Sequence, residues 1–238
     1  MRYPSYPFRT HMKTRMFPFI TSTSSPVKGC SHHCQYCWFV SLATGRLKRY
    51  YRNGIAPRVV QGELDRRFKK GEFVFISDMG DLFCNAVPTE WIANVCDAIR
   101  ESPEAEFLFM TKNPQRYMGI ASAIPNNVVL GATIESDRDY IALSKAPNQS
   151  DRLTAMRQLI GTLPTRRFVS IEPILDFNLD PFVEQLSKIK PWAVAVGYDN
   201  WKHKLPEPSQ ERTNALISAL ETFTTVYKKT IRRAWWEP

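Results

Sequence analysis

The chain has 238 residues, 43% of them apolar, with a net charge of +9, and this length is sufficient for one large α/β domain with a substantial core. No stretch approaches the roughly 20 apolar residues of a membrane span, and prolines interrupt the N-terminus where a signal peptide needs an apolar run, so we predict a cytoplasmic protein with no membrane partner. Three of the five cysteines lie within eight residues, which excludes a disulfide framework because neighbours this close cannot cross-link distant parts of a fold.

Five short runs rich in apolar residues predict β-strands, in chain order Glu72–Ser77, Glu106–Thr111, Val128–Thr133, Arg167–Glu172 and Trp192–Gly197. An earlier run, Met16–Thr21, is either the first strand or part of the approach to it, and the best count is six βα units. Near-continuous apolar runs are typical of strands buried on both faces. The pattern therefore predicts an α/β fold in which helices cover a parallel sheet.

Seven segments between or after these runs are candidate helices: Gln61–Lys70, Thr89–Arg100, Pro114–Ala123, Asp137–Ser144, Ser150–Leu163, Pro181–Ile189 and Ser209–Glu221. Polar residues follow the predicted strands directly. Ligands in parallel α/β sheets and barrels bind outside the carboxyl ends of the strands, so these connections are where we expect the functional site.

The sequence Cys30-Ser-His-His-Cys34-Gln-Tyr-Cys37 is the strongest chemical signal in the chain. Its CxxxCxxC spacing supplies three thiolates within one loop, which suits an iron–sulfur cluster that keeps one iron open for a small molecule. The alternative is a structural zinc site in which His32 or His33 is the fourth ligand, because three cysteines and one histidine can complete a tetrahedron. Zinc sites usually use two separated pairs of ligands, whereas here the three cysteines lie within eight residues and no second Cys/His pair follows.

This loop, with Gly29 before it and Tyr36 before its last cysteine, resembles the signature of the radical S-adenosylmethionine (radical SAM) superfamily. The resemblance implies a partial (β/α)6 TIM-like barrel with parallel strands and a short C-terminal extension. It also implies that Cys30, Cys34 and Cys37 bind a 4Fe-4S cluster, that Tyr36 contributes to cofactor binding, and that reductive cleavage of S-adenosylmethionine yields a 5′-deoxyadenosyl radical. Such an enzyme needs an external electron donor such as flavodoxin or ferredoxin.

The domain boundaries follow from this resemblance. Residues 1–200 would form the radical SAM partial barrel, with the cluster loop near residues 29–38. Residues 201–238 would form a C-terminal helix and a basic, aromatic tail packed on the same domain.

The segment after the second predicted strand, Ser77–Leu82, lies where radical SAM enzymes commonly carry a Gly-Gly-Glu-like segment that holds the amino group of the cofactor. By this resemblance Gly80 permits close backbone approach, and Asp78 or Asp81 supplies negative charge. The same residues also fit an ordinary glycine turn with a helix-capping aspartate. Cys84 follows this segment and is either a hydrogen-atom donor or a buried small residue.

Polar residues end the other predicted strands and would converge at one rim of the barrel. By analogy, Thr133 or Glu135 binds the ribose of the cofactor. Lys112, Glu172 and Asp199 are candidates for contacts with the substrate or a carboxylate. Each of them is equally suited to capping a helix or to a structural hydrogen bond.

A wider resemblance, over about residues 20–200, is carried by Met110-Thr-Lys-Asn-Pro, Gly131-Ala-Thr-Ile-Glu-Ser and Ser170-Ile-Glu-Pro-Ile-Leu together with the segment from Ser77 to Phe83. These segments are similar to a little-characterised phage- and prokaryote-associated radical SAM group. Its more distant relatives include spore photoproduct lyase-like enzymes, which repair DNA bases.

Basic charge is concentrated at the cysteine-bearing end, where residues 1–71 hold 14 basic and 2 acidic residues. The segments 46–52, 66–70 and 232–236 alternate cations with aromatic rings, as in proteins that bind phosphates and stack bases. Charge runs are also common on ordinary solvated helices, and the C-terminal tryptophans could instead dock on the barrel.

The sequence supports three functions. The first is a radical SAM enzyme that abstracts hydrogen from a nucleic-acid base or nucleotide. The second is a non-catalytic, zinc-stabilised nucleic-acid-binding module. The third keeps the radical chemistry but has a peptide or small metabolite as its substrate.

Overall fold

The structure, a computed structural model, describes residues 16–238. In chain order its strands are β1 (Ser22–Ser24), β2 (Val27–Lys28), β3 (Arg58–Val59), β4 (Phe73–Ile76), β5 (Glu106–Thr111), β6 (Val128–Thr133), β7 (Arg167–Ile171), β8 (Ala193–Val196) and β9 (Thr225–Lys228). Its α-helices are α1 (Trp38–Thr44), α2 (Gln61–Leu64), α3 (Thr89–Arg100), α4 (Gln115–Gly119), α5 (Gln149–Gln158), α6 (Leu179–Ile189) and α7 (Gln210–Leu220). No helix in this part of the chain is both long enough and apolar enough to cross a membrane.

Seven strands form one parallel sheet in the order β1-β4-β5-β6-β7-β8-β9, and this sheet curls into a half-barrel. Strand order follows chain order because each crossover returns to the next position along the same sheet. The short strands β2 and β3 form a separate antiparallel pair beside the first edge. This arrangement confirms the predicted α/β fold with a partial TIM-like barrel.

Six strands of the sheet, β1 and β4 to β8, are each followed by a helix, as the count of six βα units predicted. A seventh parallel strand, β9, which was not predicted, lies inside the segment assigned to a helix and tail. Strand β9 is only four residues long and lies at an edge of the sheet, where its residues are exposed or half-exposed. It therefore lacks the continuous apolar run by which the other strands were predicted. The first strand is Ser22–Ser24. The run Met16–Thr21 is therefore the approach to it.

The two faces of the sheet bury different sets of side chains. On one face, residues such as Val74, Phe107 and Leu130 pack against the helices in a continuous apolar core. On the other face, Phe75 and Phe168 meet rings from the approach segment; the Phe17 ring centroid, for example, lies 4.8 Å from that of Phe168. The alternation between the faces follows from the two-residue period of a strand.

The helix predicted over Thr89–Arg100 has these bounds in the structure. Five other predicted helices also form, and each begins or ends one to six residues away from its predicted bounds. The helix predicted over Asp137–Ser144 was wrong, since only one 3₁₀ turn forms there, Ile141–Leu143. Asp137 and Asp139 instead accept hydrogen bonds from the backbone N–H groups of Asn178 and Ser150. Short acidic side chains that bind distant backbone in this way favour loop over helix.

Candidate active site at the cysteine loop

The cysteine loop follows β2 and touches the loop that leaves the carboxyl end of β4. Gly29 and Gly80 form an isolated parallel bridge between these two loops. A Cβ atom on Gly80 would lie 2.4 Å from the carbonyl oxygen of Gly29, and one on Gly29, whose φ is +100°, would lie 2.4 Å from that of Ala56. Only glycine at both positions allows the cysteine loop to lie this close to the edge of the sheet.

The three cysteines are buried or partly buried on this loop. The Cys34 thiol lies 3.1 Å from the hydroxyl of Ser144, and the Cys30 sulfur accepts a hydrogen bond of 3.4 Å from the backbone of His32. Burial raises the pKa of Cys37. The pKa of Cys30 is raised by the hydrogen bond that its thiol donates to the Cys84 sulfur and by burial. The loop thus offers three thiols that must lose protons when they bind a metal.

Nowhere in residues 16–238 do three Cys, His, Asp or Glu side chains converge tightly enough to bind a single metal ion. In a zinc site, His32 would have to leave a buried partner, because its Nε2 atom lies 2.9 Å from a carboxylate oxygen of Asp81 and the residue is only 3% exposed. In an iron–sulfur cluster each cysteine binds a different iron, so the thiols need not converge on one point. The donor set of Cys30, Cys34 and Cys37 fits a 4Fe-4S cluster in this respect.

Asp81 is the buried anchor that joins the cysteine loop to the sheet. Besides His32, its carboxylate accepts hydrogen bonds from the hydroxyl of Thr111 at 2.8 Å and the backbone N–H groups of Lys112 and Phe83, both at 2.9 Å. Burial by itself would raise the pKa of Asp81, but these donors, His32 first, lower it. The carboxylate therefore stays ionised while it is enclosed by protein.

We expect Asp81→Asn to lower the free energy of unfolding by roughly 3 kcal/mol, because an amide cannot accept all of these bonds and leaves a buried donor unpaired. Urea denaturation checks this value. Asp97→Asn is the matched control, since Asp97 is exposed and pairs with Arg100 on α3, and its effect should stay within about 1 kcal/mol. Equal losses in the two variants would contradict the anchoring role.

Glu135 is the centre of a second buried network, which reaches Tyr36 in the cysteine loop. Its Oε1 atom accepts a 2.7 Å hydrogen bond from the hydroxyl of Tyr36 and an ion pair from Lys112, and its Oε2 atom pairs with Arg152 at 2.8 Å. Gln149 adds a fourth, longer contact of 3.4 Å. Burial would raise the pKa of Glu135, but Arg152 and then Lys112 outweigh it and lower the pKa to about 2.

The other residues predicted to bind the cofactor lie at the same edge of the sheet. Asp78 accepts a hydrogen bond from the hydroxyl of Ser25. The same hydroxyl oxygen accepts a hydrogen bond from the backbone N–H of Met79. Thr133, at the end of β6, is half-buried, and its carbonyl oxygen is bound by Arg152. Asp78 and Thr133 are thus more accessible than Asp81 and Glu135.

The four predicted catalytic residues fall into separate groups. Lys112 belongs to the Glu135 network, with its amino group 4.9 Å from the centre of the Tyr36 ring. Cys84 is fully buried, and its thiol shares a hydrogen bond with Cys30. The remaining two lie towards the far side of the half-barrel, where Glu172 pairs with Lys229 at 2.5 Å and Asp199 with the Nδ1 atom of His203 at 2.9 Å.

Several residues of these networks were missed from the sequence. Arg152 and Gln149 lie on a helix whose polar composition suggests a solvated surface, and Ser144 lies in the segment wrongly predicted as a helix. The sequence suggests His32 as a zinc ligand, whereas its Nε2 atom pairs with Asp81, 49 residues away in the chain. No local pattern identifies such partners.

A curled sheet of parallel strands with a three-cysteine loop at its carboxyl edge is the arrangement that the resemblance predicted. The chain itself belongs to a family described as a protein of unknown function (DUF5131), whose profile matches residues 15–204. No curated protein matches the chain.

Solved structures with a similar fold include spore photoproduct lyase and methylornithine synthase. A spore photoproduct lyase with bound AdoMet and a dinucleoside spore photoproduct is 12% identical, with a TM-score of 0.62 over 88% of this chain and 76% of that chain. A second spore photoproduct lyase complex is 11% identical, with a TM-score of 0.60 over 85% and 74%. Methylornithine synthase is 12% identical, with a TM-score of 0.50 over 87% and 64%. At these identities the likeness is one of fold.

Proposed function

We propose that this chain is a radical SAM enzyme in which Cys30, Cys34 and Cys37 hold a 4Fe-4S cluster and leave one iron open to S-adenosylmethionine. The observation that carries the proposal is the position of the three-cysteine loop, which lies at the carboxyl edge of a curled parallel sheet in backbone contact with the loop after β4. When bound and reduced, the cluster supplies the electron that cleaves the sulfonium carbon–sulfur bond of S-adenosylmethionine, so that hydrogen can be abstracted from a substrate.

Four residues of the chain would contact S-adenosylmethionine. Gly80 would present its backbone to the ligand, while the side on which a Cβ atom would lie is filled by the backbone of Gly29. Asp78 offers a carboxylate to an amino group, and Thr133 offers a half-buried hydroxyl to a ribose. Tyr36 presents its ring next to the cysteines, with its hydroxyl held by Glu135.

Asp81 and Glu135 are better suited to positioning than to cofactor contact, because protein donors already engage the oxygens of both carboxylates. Asp81 holds the cysteine loop through His32, and Glu135 holds it through Tyr36. Lys112 contacts both networks, since its backbone N–H donates to Asp81 and its amino group pairs with Glu135. The two anchors would keep the loop fixed at the edge of the sheet.

The substrate side of the site would comprise Lys112, Glu172, Asp199 and the thiol of Cys84 as a hydrogen-atom donor. A nucleic-acid base or nucleotide is the substrate class we favour, since a neighbour of similar fold is described with a bound dinucleoside lesion. A peptide or a small metabolite is the alternative. Deuterium transfer into 5′-deoxyadenosine from labelled candidates of each class would distinguish them.

The remaining parts of the proposal concern domains and partners. The cluster would be carried by residues 1–200, with residues 201–238 packed on the same domain; β9, in that second segment, pairs with β8. A flavodoxin or ferredoxin would supply electrons, and the basic segment Arg46–Arg52 near the cysteine loop suits an acidic protein of this kind.

The experiment that tests the proposal is anaerobic reconstitution with iron and sulfide, followed by reduction in the presence of S-adenosylmethionine. We expect 5′-deoxyadenosine to accumulate, and mass spectrometry measures it. Protein that was not reconstituted is the control. A full cluster, established by iron and sulfide analysis, with no 5′-deoxyadenosine formed would contradict the proposal.

A further inference from the structure

Three tryptophans near the C-terminal end of the chain keep half of their surface in solvent. The exposed fraction is 50% for Trp201, 51% for Trp235 and 50% for Trp236. An indole is among the largest apolar side chains, and burying it fully would stabilise the fold. Trp235 and Trp236 are neighbours in the chain, and large apolar groups that stay exposed side by side indicate a surface for a partner.

The rings of Trp235 and Trp236 are fixed in place. The indole N–H of Trp235 donates to the carbonyl of Leu205 at 2.7 Å, and that of Trp236 donates to the carbonyl of Glu207 at 2.9 Å. Because each N–H is satisfied by the protein, the part of each indole left to a partner is its apolar ring. A ring that is already oriented loses little conformational entropy on binding.

The tail that carries these rings is held by an ion pair to the buried carboxylate of Glu207. Arg232 binds both carboxylate oxygens of Glu207, at 2.9 and 2.7 Å, and the side chain of Glu207 is 1% exposed. The same carboxylate accepts the backbone N–H of Trp235 at 3.1 Å. Glu237 adds a further clamp by accepting the N–H of Gln210 at 2.9 Å. The tail is thus a rigid part of the molecule.

An exposed lysine lies beside the Trp235 ring. The amino group of Lys204 lies 5.9 Å from the centre of the Trp235 ring. Lys202 and Lys204 are both exposed, and neither forms an ion pair with a residue in the range 16–238. Both have a left-handed backbone, with φ of 60° and 53°, so the segment between them is held in an unusual conformation. We call Trp235, Trp236 and Lys204 the tryptophan platform; Trp201 and Lys202 precede Lys204 in the chain by three and two residues.

The tryptophan platform lies next to the cysteine loop. Leu205, whose carbonyl holds the Trp235 ring, packs its side chain in the same apolar cluster as Cys34 and Tyr36. The platform is therefore joined to the proposed cluster ligand Cys34 through one buried apolar cluster. A molecule bound on the platform would be held beside the site where hydrogen is abstracted.

We propose that the tryptophan platform binds single-stranded nucleic acid and presents it to the cysteine loop. What happens to the bound strand there rests on the proposed function. Exposed indole faces stack on bases of any sequence, and lysines beside them meet the phosphates. A duplex offers no free base faces, since its bases are already stacked on one another. A surface that binds an acidic protein would consist mainly of cations, whereas the tryptophan platform consists mainly of aromatic rings, which favours nucleic acid.

Fluorescence anisotropy of labelled oligo-dT and oligo-U, about 12 nucleotides long, tests the proposal on the anaerobically reconstituted full chain without S-adenosylmethionine. We expect both strands to bind more tightly than a duplex of the same length. Trp235→Ala should weaken binding by between about 5-fold and about 150-fold, the range for loss of one stacked base. Lys204→Ala should reduce the slope of log affinity against log salt by about 0.7.

The controls are Phe223→Ala and Lys188→Ala, which remove an exposed ring and an exposed cation elsewhere and should leave affinity unchanged. Trp235→Ala also removes an anchoring hydrogen bond. Trp201→Ala, which removes an exposed ring three residues from Lys204 in the chain, is therefore measured as well and should weaken binding in a chain with an unchanged melting temperature.

Two results would overturn the platform. One is oligonucleotide affinity that is unchanged in Trp235→Ala, Trp201→Ala and Lys204→Ala alike. The other is loss of flavodoxin binding, and not of oligonucleotide binding, in these variants, which would assign the surface to the electron donor. Formation of 5′-deoxyadenosine is measured in parallel: if it is absent while the strands still bind, the proposed function fails and the platform stands.

Discussion

Substitution of Cys34 by alanine is expected to abolish cluster assembly and with it the formation of 5′-deoxyadenosine. The same result is expected for Cys30→Ala and Cys37→Ala, because a cluster with an open iron has only three protein ligands and none can be spared. Iron and sulfide content after anaerobic reconstitution, followed by product analysis, measures the effect. Loss of activity should accompany loss of iron in each of the three variants.

The other two cysteines supply matched controls. Cys96 is buried among apolar residues of α3, so Cys96→Ala should keep full iron content and activity. Cys84→Ala is the sharper control, because the Cys84 thiol is hydrogen-bonded to Cys30. It should keep the cluster while it changes any step that needs a hydrogen-atom donor. A Cys84→Ala protein without iron would mean that the ligand set includes Cys84.

Glu135→Gln is expected to lower the free energy of unfolding by about 3–5 kcal/mol at neutral pH, because Arg152 would be left as a buried charge without a partner. The exposed fraction of the side chain is 1% for Arg152 and 0% for Glu135, so solvent cannot compensate. Urea denaturation of apo protein measures the difference. Glu184→Gln is the control, since Glu184 pairs with Lys188 at the surface, where such pairs contribute less than about 1 kcal/mol.

The difference between wild type and Glu135→Gln should shrink in acid. The pKa of Glu135 is lowered to about 2 in the folded protein, so its stabilisation is fully present above its unfolded pKa, near 4.5, and is lost as the pH falls towards 2. This pKa difference corresponds to roughly 3 kcal/mol. A difference in unfolding free energy that stays constant from neutral pH to pH 3 would contradict the buried ion pair.

Two kinds of sequence signal predicted the fold and the centre of the site. The apolar runs beginning at Glu106 and Val128 predicted buried parallel strands because burial on both faces leaves no polar alternation. The spacing of Cys30, Cys34 and Cys37 predicted a shared metal cofactor because three soft ligands on one loop have few other uses. Both signals are local, since each can be recognised within about ten residues.

Signals that depend on distant partners were missed or misassigned. The helix predicted over Asp137–Ser144 was wrong because the aspartates within it bind backbone groups of Asn178 and Ser150, which local composition does not reveal. Strand β9 was missed because an edge strand of four residues lacks the continuous apolar run of a central strand.

The sequence by itself determined the α/β class, the parallel strands and the three-cysteine loop, because these depend on residues that are neighbours in the chain. Only the tertiary structure decided which polar residues hold that loop. Asp81 meets His32 across 49 residues and Glu135 meets Tyr36 across 99, and only folding brings such groups within hydrogen-bonding distance. The same is true of the tryptophan platform, whose rings are exposed and oriented because backbone carbonyls some 30 residues earlier in the chain hold their N–H groups.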